Sequence, residues 1–470
     1  MDRLTARDWY IETAASMEQI IGPALSTIVG IISPLLNLIL HPAISAAVQG
    51  TMGAVGLIGI ALGATVIGSL SDRWGYLRLF RLCPILIILG SIIAAWSPEP
   101  WSISLGMFIA GVGVGGGYPL DSAYISELMP PKQRVFMVGV AKTMCAIGFI
   151  LPTLATLIIL RVYPSPNAWR WIVYLMGGLG FITLLMRLHW AESPAWLINK
   201  GLNDKALKAA STFFGKNNAT QYLIGLQNQP NTRSTDCAPN KLPKHSFFKG
   251  KNLVRIIYSG IPWACEGLGV YGIGIFLPLL IMSLGLDRSH AEGLSKIINS
   301  VEVTAVVNCS ILPGFVLGLF VVSRLNHRLM LYGGFIGSAA SMALLLAAYL
   351  LHWPDWVALA AFIIFEVFLN AGPHLVTYII PAEIFPVEMR GTGSGIADFL
   401  GKFGAILGVF FMPLLLKAGG IALVITVTIC VMLVGALIAI IFGRKVYDSD
   451  NTLKNQNNIQ TETSEKKSNI

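Results

Sequence analysis

Glu266 has the clearest chemical potential in this 470-residue chain, because its carboxyl group lies within a long apolar segment. A charged side chain near the centre of a membrane costs about 3 kcal/mol or more, so such a residue is retained for pairing or for function. Trp263 and Tyr271 flank it and can form the walls of a ligand site. We predict that Glu266 contacts substrate and binds and releases a proton; a buried ion pair is the alternative interpretation.

Four of the other charged residues in apolar segments are candidates for a role in transport. Lys402 is predicted to hold a negative or polyhydroxyl substrate, or else to pair with a carboxylate. Asp121 is a candidate for a second proton carrier. Lys142 and Asp398 occupy equivalent places in two halves of the chain, where they either face the substrate or pair locally.

The elements that must position these residues are membrane-spanning helices. The chain is 54% hydrophobic and only 12% charged, whereas soluble chains carry about 25% charged residues. A helix needs roughly 20 apolar residues to cross the hydrocarbon core. The sequence contains twelve such segments, near 19–40, 48–70, 79–96, 102–126, 135–160, 168–188, 255–283, 294–320, 329–351, 356–380, 393–416 and 419–442. We predict an all-α integral membrane protein with twelve transmembrane helices.

An internal repeat divides these helices into two halves. Glu, Pro and Arg recur at one spacing in two places, as Glu127, Pro130 and Arg134 and again as Glu383, Pro386 and Arg390. Each set joins two apolar segments, which predicts two pseudo-symmetric six-helix bundles with a substrate site between them. We expect each Glu to form a salt-bridge latch with its Arg during conformational change; ordinary helix capping is the alternative.

The predicted division has four parts. They are an N-terminal bundle (1–189), a cytoplasmic linker (190–253), a C-terminal bundle (254–444) and a disordered cytoplasmic tail (445–470). Lys and Arg concentrate in alternate loops, which predicts that both termini and the linker lie on the cytoplasmic side of a cytoplasmic (inner or plasma) membrane. The net charge of +9 is therefore attributed to topology rather than to nucleic-acid binding.

The sequence contains no Walker motif, metal-ligand cluster or nucleophile–base arrangement. We therefore expect no enzymatic activity and no cofactor or metal, and the energy for transport must come from a gradient. The predicted partners are a small-molecule substrate, protons and the lipid bilayer, for a monomeric protein.

The loop between the second and third apolar segments, Gly68-Ser-Leu-Ser-Asp-Arg-Trp-Gly-Tyr-Leu-Arg78, resembles the loop signature of the major facilitator superfamily. Its glycines permit a tight turn and close helix approach, and its charged groups can bond helix ends. The resemblance implies a gating role for Gly68, Asp72, Arg73, Gly75 and Arg78. A worn copy occupies 318–328 in the second half, where Ser323 replaces the acid.

Further stretches resemble two branches of that superfamily. Ala191 to Leu197 (AESPAWL) is similar to a motif of the sugar porters, which implies a gating role for Glu192. The stretches 111–134 and 372–386 resemble signatures of the phosphate:proton symporters, and Lys402 matches a substrate-facing lysine of that group.

Several ligand-contacting positions depart from the phosphate symporters. Gly117 stands where they have an acid, although Tyr118 is kept. In helix seven Trp263 and Tyr271 match, but the acid position is Gly267 and Glu266 lies beside it. His374 replaces an asparagine. The resemblance implies a substrate pocket of Tyr118, Trp263, Glu266, Tyr271, His374 and Lys402, while it leaves inorganic phosphate itself in question.

The leading hypothesis is a secondary transporter that imports a small polar solute with a proton by alternating access. Phosphate or an organic anion is favoured as the substrate because of Lys402. A sugar or polyol symporter or uniporter is the alternative. A nutrient sensor that binds without transporting is less favoured because the linker is modest, and an exporter because Gly148 and Pro152 alone make no export motif.

Overall fold

The computed structural model describes residues 4–96, 98–130, 133–228, 249–286, 292–322, 324–385 and 389–468. These residues form helices and loops, with no β-strand among them. Ten helical segments are long and apolar enough to cross a membrane, and the bent pair Gly250–Ile273 and Leu277–Leu284 supplies an eleventh crossing. The segment Thr392–Val446 is 55 residues long and is broken at Gly419 and Gly420, so it makes two crossings. This arrangement confirms the predicted twelve-helix membrane fold.

The helices are numbered α1 to α17 in chain order. In the first half they are α1 (Ala6–Ala15), α2 (Met17–Asn37), α3 (Ala46–Trp74), α4 (Tyr76–Trp96), α5 (Pro100–Leu128), α6 (Arg134–Val162) and α7 (Trp169–Met186). A short 3₁₀ turn, Pro166–Ala168, precedes α7. Two further helices, α8 (Pro194–Asn199) and α9 (Asn203–Asn228), come after α7. In the second half they are α10 (Gly250–Gly267), α11 (Leu277–Leu284), α12 (Gly293–Cys309), α13 (Ile311–Val322), α14 (His327–Leu350), α15 (Asp355–Ala371), α16 (Pro373–Ile384) and α17 (Arg390–Ser468).

The two polar regions of the sequence differ in how much of them the structure covers. In the linker predicted over 190–253, residues 194–228 are largely helical, and residues 229–248 lie outside the described part. At the other end α17 continues to Ser468, whereas composition predicts a disordered tail from Lys445. The disordered tail stays a prediction.

Glycine allows the helices that surround the site to approach each other closely. A side chain at Gly63 would collide with the backbone of Val112, and one at Gly115 with the backbone of Ile60, so α3 and α5 pack backbone to backbone. Gly404 of α17 meets the backbone of Ala264 in α10 in the same way. Small residues at helix interfaces are the usual means of close packing in membranes. The glycine run in α5 therefore serves packing.

Directly after Glu266 the seventh crossing changes its geometry. Residues Leu268–Ile273 form a π-helical turn, and the helix axis then bends by 63° before α11. Such widened turns are frequent at functional sites. Glu266 and Tyr271, before and within the widened turn, both line the central cavity.

Candidate functional site

A central cavity of about 520 Å³ lies between the two halves and receives side chains from α5, α6, α10, α16 and α17. All six residues predicted to contact substrate line this cavity: Tyr118, Trp263, Glu266, Tyr271, His374 and Lys402. Lys142, Cys145, Tyr378 and Asp398 line it as well. The structure thus brings together residues that are up to 284 positions apart, from Tyr118 to Lys402. Their role in binding stays a prediction.

Two lysines give the cavity its positive charge. The ammonium group of Lys402 lies 5.3 Å from the ring centroid of Tyr118, and that of Lys142 lies 5.7 Å from the ring centroid of Tyr378. Among the described residues, no carboxylate lies within 4.0 Å of either ammonium group. Asp398 is the other charged side chain on the α17 wall. Both lysines can therefore contact an anion in the cavity.

Glu266 lies at the inner wall of this cavity and is only 2% exposed. Its Oε1 atom makes no hydrogen bond to any described protein atom. The nearest polar neighbour is Nε2 of His374, at 3.8 Å. The other ring nitrogen of His374, Nδ1, lies 2.9 Å from the amide oxygen of Asn370, and the ring of Phe315 packs against the imidazole at 4.9 Å. Glu266 thus keeps one carboxyl oxygen free to take a proton.

The second predicted proton carrier, Asp121, is buried beside the central cavity, in a small pocket that Lys142 and Tyr378 also line. Its proton-carrying role stays a prediction. Arg187, at the end of α7, donates to both carboxyl oxygens of Glu18 and lies 3.4 Å from Oδ1 of Asp121. Its remaining donors bond the backbone carbonyls of Ala14, Ala15 and Phe80. Sequence reasoning missed Arg187; the available signal was a basic residue at the very end of an apolar segment.

The structure explains why Gly117 replaces the acid found in phosphate symporters. A side chain at this position would collide with the carboxyl group of Glu18, whose Cδ would lie 2.6 Å from the new Cβ. Glu18 of α2 therefore fills the space that an acid on α5 would occupy. The glycine at 267 has a similar cause, because a Cβ there would lie 2.5 Å from the backbone oxygen of Gly401.

The predicted gating residues of the first loop surround the start of α4. Glu192 accepts hydrogen bonds from the backbone N–H groups of Tyr76 (2.8 Å) and Leu77 (3.1 Å), which are free donors at a helix N-terminus. Gly75 adopts φ +88°, and any side chain there would meet the Glu192 carboxylate, so glycine is required. Gly68 packs against Pro119 of α5.

The charged members of that loop are placed differently. Arg73 and Arg78 are exposed. The side chain of Asp72 lies outside the described part of the structure. The gating role of the loop stays a prediction.

The two repeated glutamates contact partners other than their predicted arginines. Glu127 accepts from the hydroxyl of Ser193 (2.5 Å) and from the backbone N–H of Ala195 (2.8 Å). Glu383 pairs with Nδ1 of His327 at 2.8 Å. The side chains of Arg134 and Arg390 lie outside the described residues, so the predicted latches stay predictions.

The halves contact each other at the end of the molecule away from these loops. Asn308 of α12 donates to the hydroxyl of Thr153 (3.0 Å) and to the backbone oxygen of Phe149 (3.3 Å) in α6. Nearer the surface, Arg161 and Glu302 form an ion pair at 2.6 Å. The cavity is lined instead by residues near the loop end, such as Ser122 and Ala382. These contacts therefore join the two halves at the end opposite the loops that follow Glu127 and Glu383.

Comparisons with known proteins agree with this architecture. A family model described as "Sugar (and other) transporter" matches residues 9–446. The inner membrane metabolite transport protein YgcS of Escherichia coli (strain K12) is 25% identical over 391 residues, covering 83% of this chain and 81% of YgcS. A putative inorganic phosphate transporter of Schizosaccharomyces pombe is 23% identical, over 77% of this chain and 71% of its own. The inward-open structure of the E. coli xylose transporter XylE superposes with a TM-score of 0.76 at 20% identity, over 93% of this chain and 96% of XylE.

Proposed function

The chain belongs to the sugar (and other) transporter family, and from this premise we propose that it imports a small organic anion together with a proton. It is a multi-pass membrane transporter and not an enzyme. The observation that carries the proposal is the pairing, in one cavity, of two lysines that lack a nearby carboxylate with a glutamate whose Oε1 has no hydrogen-bond partner among the described residues.

The charges of the cavity suggest how proton and anion binding are coupled. Lys142 and Lys402 contribute two positive charges, and Asp398 and ionised Glu266 contribute two negative charges. Once Glu266 is protonated, the cavity carries one net positive charge. An anion then gains favourable interaction energy that is absent when Glu266 is ionised. Proton binding and anion binding therefore favour each other, as reciprocal coupling requires.

The size and lining of the cavity favour an organic anion over inorganic phosphate. The volume of about 520 Å³ falls within the range of roughly 300–1,000 Å³ usual for small-molecule sites. Phosphate has only five heavy atoms and no apolar surface. Trp263, Tyr271 and Tyr118 offer aromatic faces that a carbon skeleton can contact but a phosphate ion cannot. We therefore favour a carboxylate or phosphate ester attached to a small organic body.

A neutral sugar or polyol is the second candidate. In the same cavity Asp398 and Glu266 offer hydrogen-bond acceptors and the indole N–H of Trp263 offers a donor. Hydroxyl groups can bond all three. The resemblance to a xylose transporter in fold is compatible with this substrate. A neutral sugar leaves the cavity with one unbalanced positive charge once Glu266 is protonated, which is why the anion is preferred.

Alternating access between two halves is the proposed transport cycle. We propose that the protein lies in the cytoplasmic (inner or plasma) membrane, with both termini and the loop that contains Arg73 and Arg78 on the cytoplasmic side. We also propose that one chain is sufficient for transport. With this orientation the cavity lies toward the cytoplasmic side, and contacts such as Asn308 with Thr153 close the outer side.

Glu266→Gln is the test of proton coupling. We expect wild-type vesicles to accumulate a labelled organic anion (benzoate and gluconate as probes, with phosphate and xylose for comparison) when the outside is made acidic. Because glutamine imitates a permanently protonated carboxyl, the variant should lose gradient-driven accumulation but retain exchange of internal for external substrate. Accumulation by the variant equal to that of the wild type would contradict the proposal. If the wild-type protein binds the probes but takes up none of them, the result would support the nutrient sensor instead.

Lys402→Met is expected to weaken anion uptake, because it removes one of the two ammonium groups that face the ligand. A hydrogen bond to a charged group contributes about 1.5–3 kcal/mol, so we expect KM to rise by roughly 10-fold or more. The measurement is initial uptake rate against substrate concentration. Lys417→Met, an exposed lysine of the same helix, is the matched control and should leave KM unchanged. Equal KM values in both variants would contradict the anion assignment.

A further inference from the structure

A chain of buried polar side chains leads away from the central cavity into the second half. Glu366, Asn370 and His374 follow each other at intervals of four residues, across the junction of α15 and α16. Their exposures are 4%, 1% and 3%. Neither Glu366 nor Asn370 lines the cavity. Of these three side chains, only His374 reaches the cavity wall, where a substrate can be contacted.

The hydrogen bonds among Glu366, Asn370 and His374 determine which end of the Asn370 amide faces each neighbour. The amide nitrogen of Asn370 donates to the backbone oxygen of Glu366 (2.8 Å) and to its Oε2 (2.9 Å). A backbone carbonyl can only accept, so the NH₂ group must lie on this side. The amide oxygen then faces His374, where it lies 2.9 Å from Nδ1. Because that oxygen can only accept, Nδ1 must carry the hydrogen.

This assignment determines what His374 presents to Glu266. In a neutral imidazole one nitrogen donates and the other accepts, so Nε2 carries a lone pair. Nε2 faces Oε1 of Glu266 at 3.8 Å, and Oε1 has no hydrogen-bond partner among the described residues. An ionised carboxylate can also only accept. The two atoms therefore attract each other only when a proton is bound to one of them.

We propose that Glu266 and His374 form a single proton-binding site, in which Asn370, held by Glu366, positions the histidine by fixing its tautomer. The proposal rests on the proposed function for the use of that proton in transport. A proton arriving through the cavity binds Oε1 and is shared with the Nε2 lone pair, and it returns to the cavity when the bond opens. No other group needs to be oxidised, reduced or displaced.

The surroundings of the pair allow this exchange. The 3.8 Å separation must shorten to about 2.7–3.0 Å for a hydrogen bond. The π-helical turn that follows Glu266 and the non-helical Gly372 that precedes His374 are places where small adjustments are possible. The charged groups that face the pair are Lys142 from α6 and Lys402 and Asp398 from α17. From α13 the neighbour is the apolar ring of Phe315.

The first test observes the tautomer without any transport. The purified full-length protein, labelled with ¹⁵N in its histidine rings, is studied by NMR, and His374→Gln identifies the signals of His374. We expect a protonated Nδ1 and an unprotonated Nε2 at high pH. Asn370→Leu removes the acceptor and should abolish this preference, whereas Asn370→Asp keeps an acceptor oxygen and should retain it. A wild-type signal with the hydrogen on Nε2 would overturn the proposal.

The second test measures the pH profile of uptake, which a merely structural role of Asn370 would not displace. Without the Asn370 acceptor, Nε2 can carry the hydrogen and donate to ionised Glu266, which favours release of the proton. The pH of half-maximal gradient-driven uptake should therefore shift to lower pH by about one unit in Asn370→Leu, and much less in Asn370→Asp. An unshifted profile in Asn370→Leu, with the tautomer changed, would refute the shared site.

Failure of this proposal can be told apart from failure of the proposed function. If Glu266→Gln still accumulates substrate in response to the gradient, proton coupling at Glu266 is refuted, whatever the tautomer of His374. If Glu266→Gln loses coupling while His374→Gln keeps the wild-type pH profile, the proposed function stands and the shared site is refuted.

Discussion

Arg187→Leu is expected to destabilise the protein more than any other single substitution considered for this chain. Arg187 is fully buried, and its guanidinium is surrounded by two carboxylates and three backbone carbonyls. Leucine leaves all of these acceptors buried without their donor. Breaking a buried ion pair by removing one partner costs about 3–5 kcal/mol. We therefore expect a large fall in the melting temperature of the purified protein, measured by thermal unfolding in detergent.

The control for this prediction is Arg170→Leu, since Arg170 makes an exposed hydrogen bond to Asn167 and stacks on Trp169. Its melting temperature should stay near that of the wild type. Adding Glu18→Gln and Asp121→Asn to Arg187→Leu should recover part of the loss, because neutral amides remove the uncompensated charges. Equal melting temperatures for the two arginine variants would show that the cluster contributes little to stability.

Joining α6 to α12 through Thr153→Cys and Asn308→Cys is expected to stop transport. The two side chains are hydrogen-bonded at 3.0 Å across the halves, at the end opposite the cavity opening. Alternating access requires these helices to separate so that the cavity can open on that side. A short bifunctional methanethiosulfonate should therefore abolish uptake, and a reductant should restore it. The measurement is uptake into vesicles by a chain whose six native cysteines have been replaced.

The matched control is a cysteine pair that lies within one half. A side chain at Gly177 of α7 would place its Cβ 3.0 Å from the Cβ of Ser91 in α4. Because both helices belong to the first half, the same reagent should join Ser91→Cys to Gly177→Cys without stopping uptake. If the pair between α6 and α12 is joined and uptake continues, the contact does not have to open during the cycle.

The sequence by itself determined the membrane class, the twelve helices and the position of Glu266 inside one of them. These properties depend on local composition, because a span is recognised by the length of its apolar run and a charge within it by its cost. The motif at Gly68 to Arg78 likewise identified the superfamily from neighbouring residues. The six residues predicted to contact substrate were also selected correctly as members of one cavity, although their binding role is untested.

Only the tertiary structure decided which charged groups are partners. Arg187 meets Glu18 across 169 positions of sequence, and Glu18 fills the space beside Gly117. Asp121 therefore has Arg187 as its charged neighbour, beside the central cavity rather than on its wall. The orientation of Asn370, and with it the tautomer of His374, follows from hydrogen bonds that no spacing rule gives. The reason is physical: the free energy of a buried polar group depends on atoms within a few ångströms of it, and helix packing chooses those atoms.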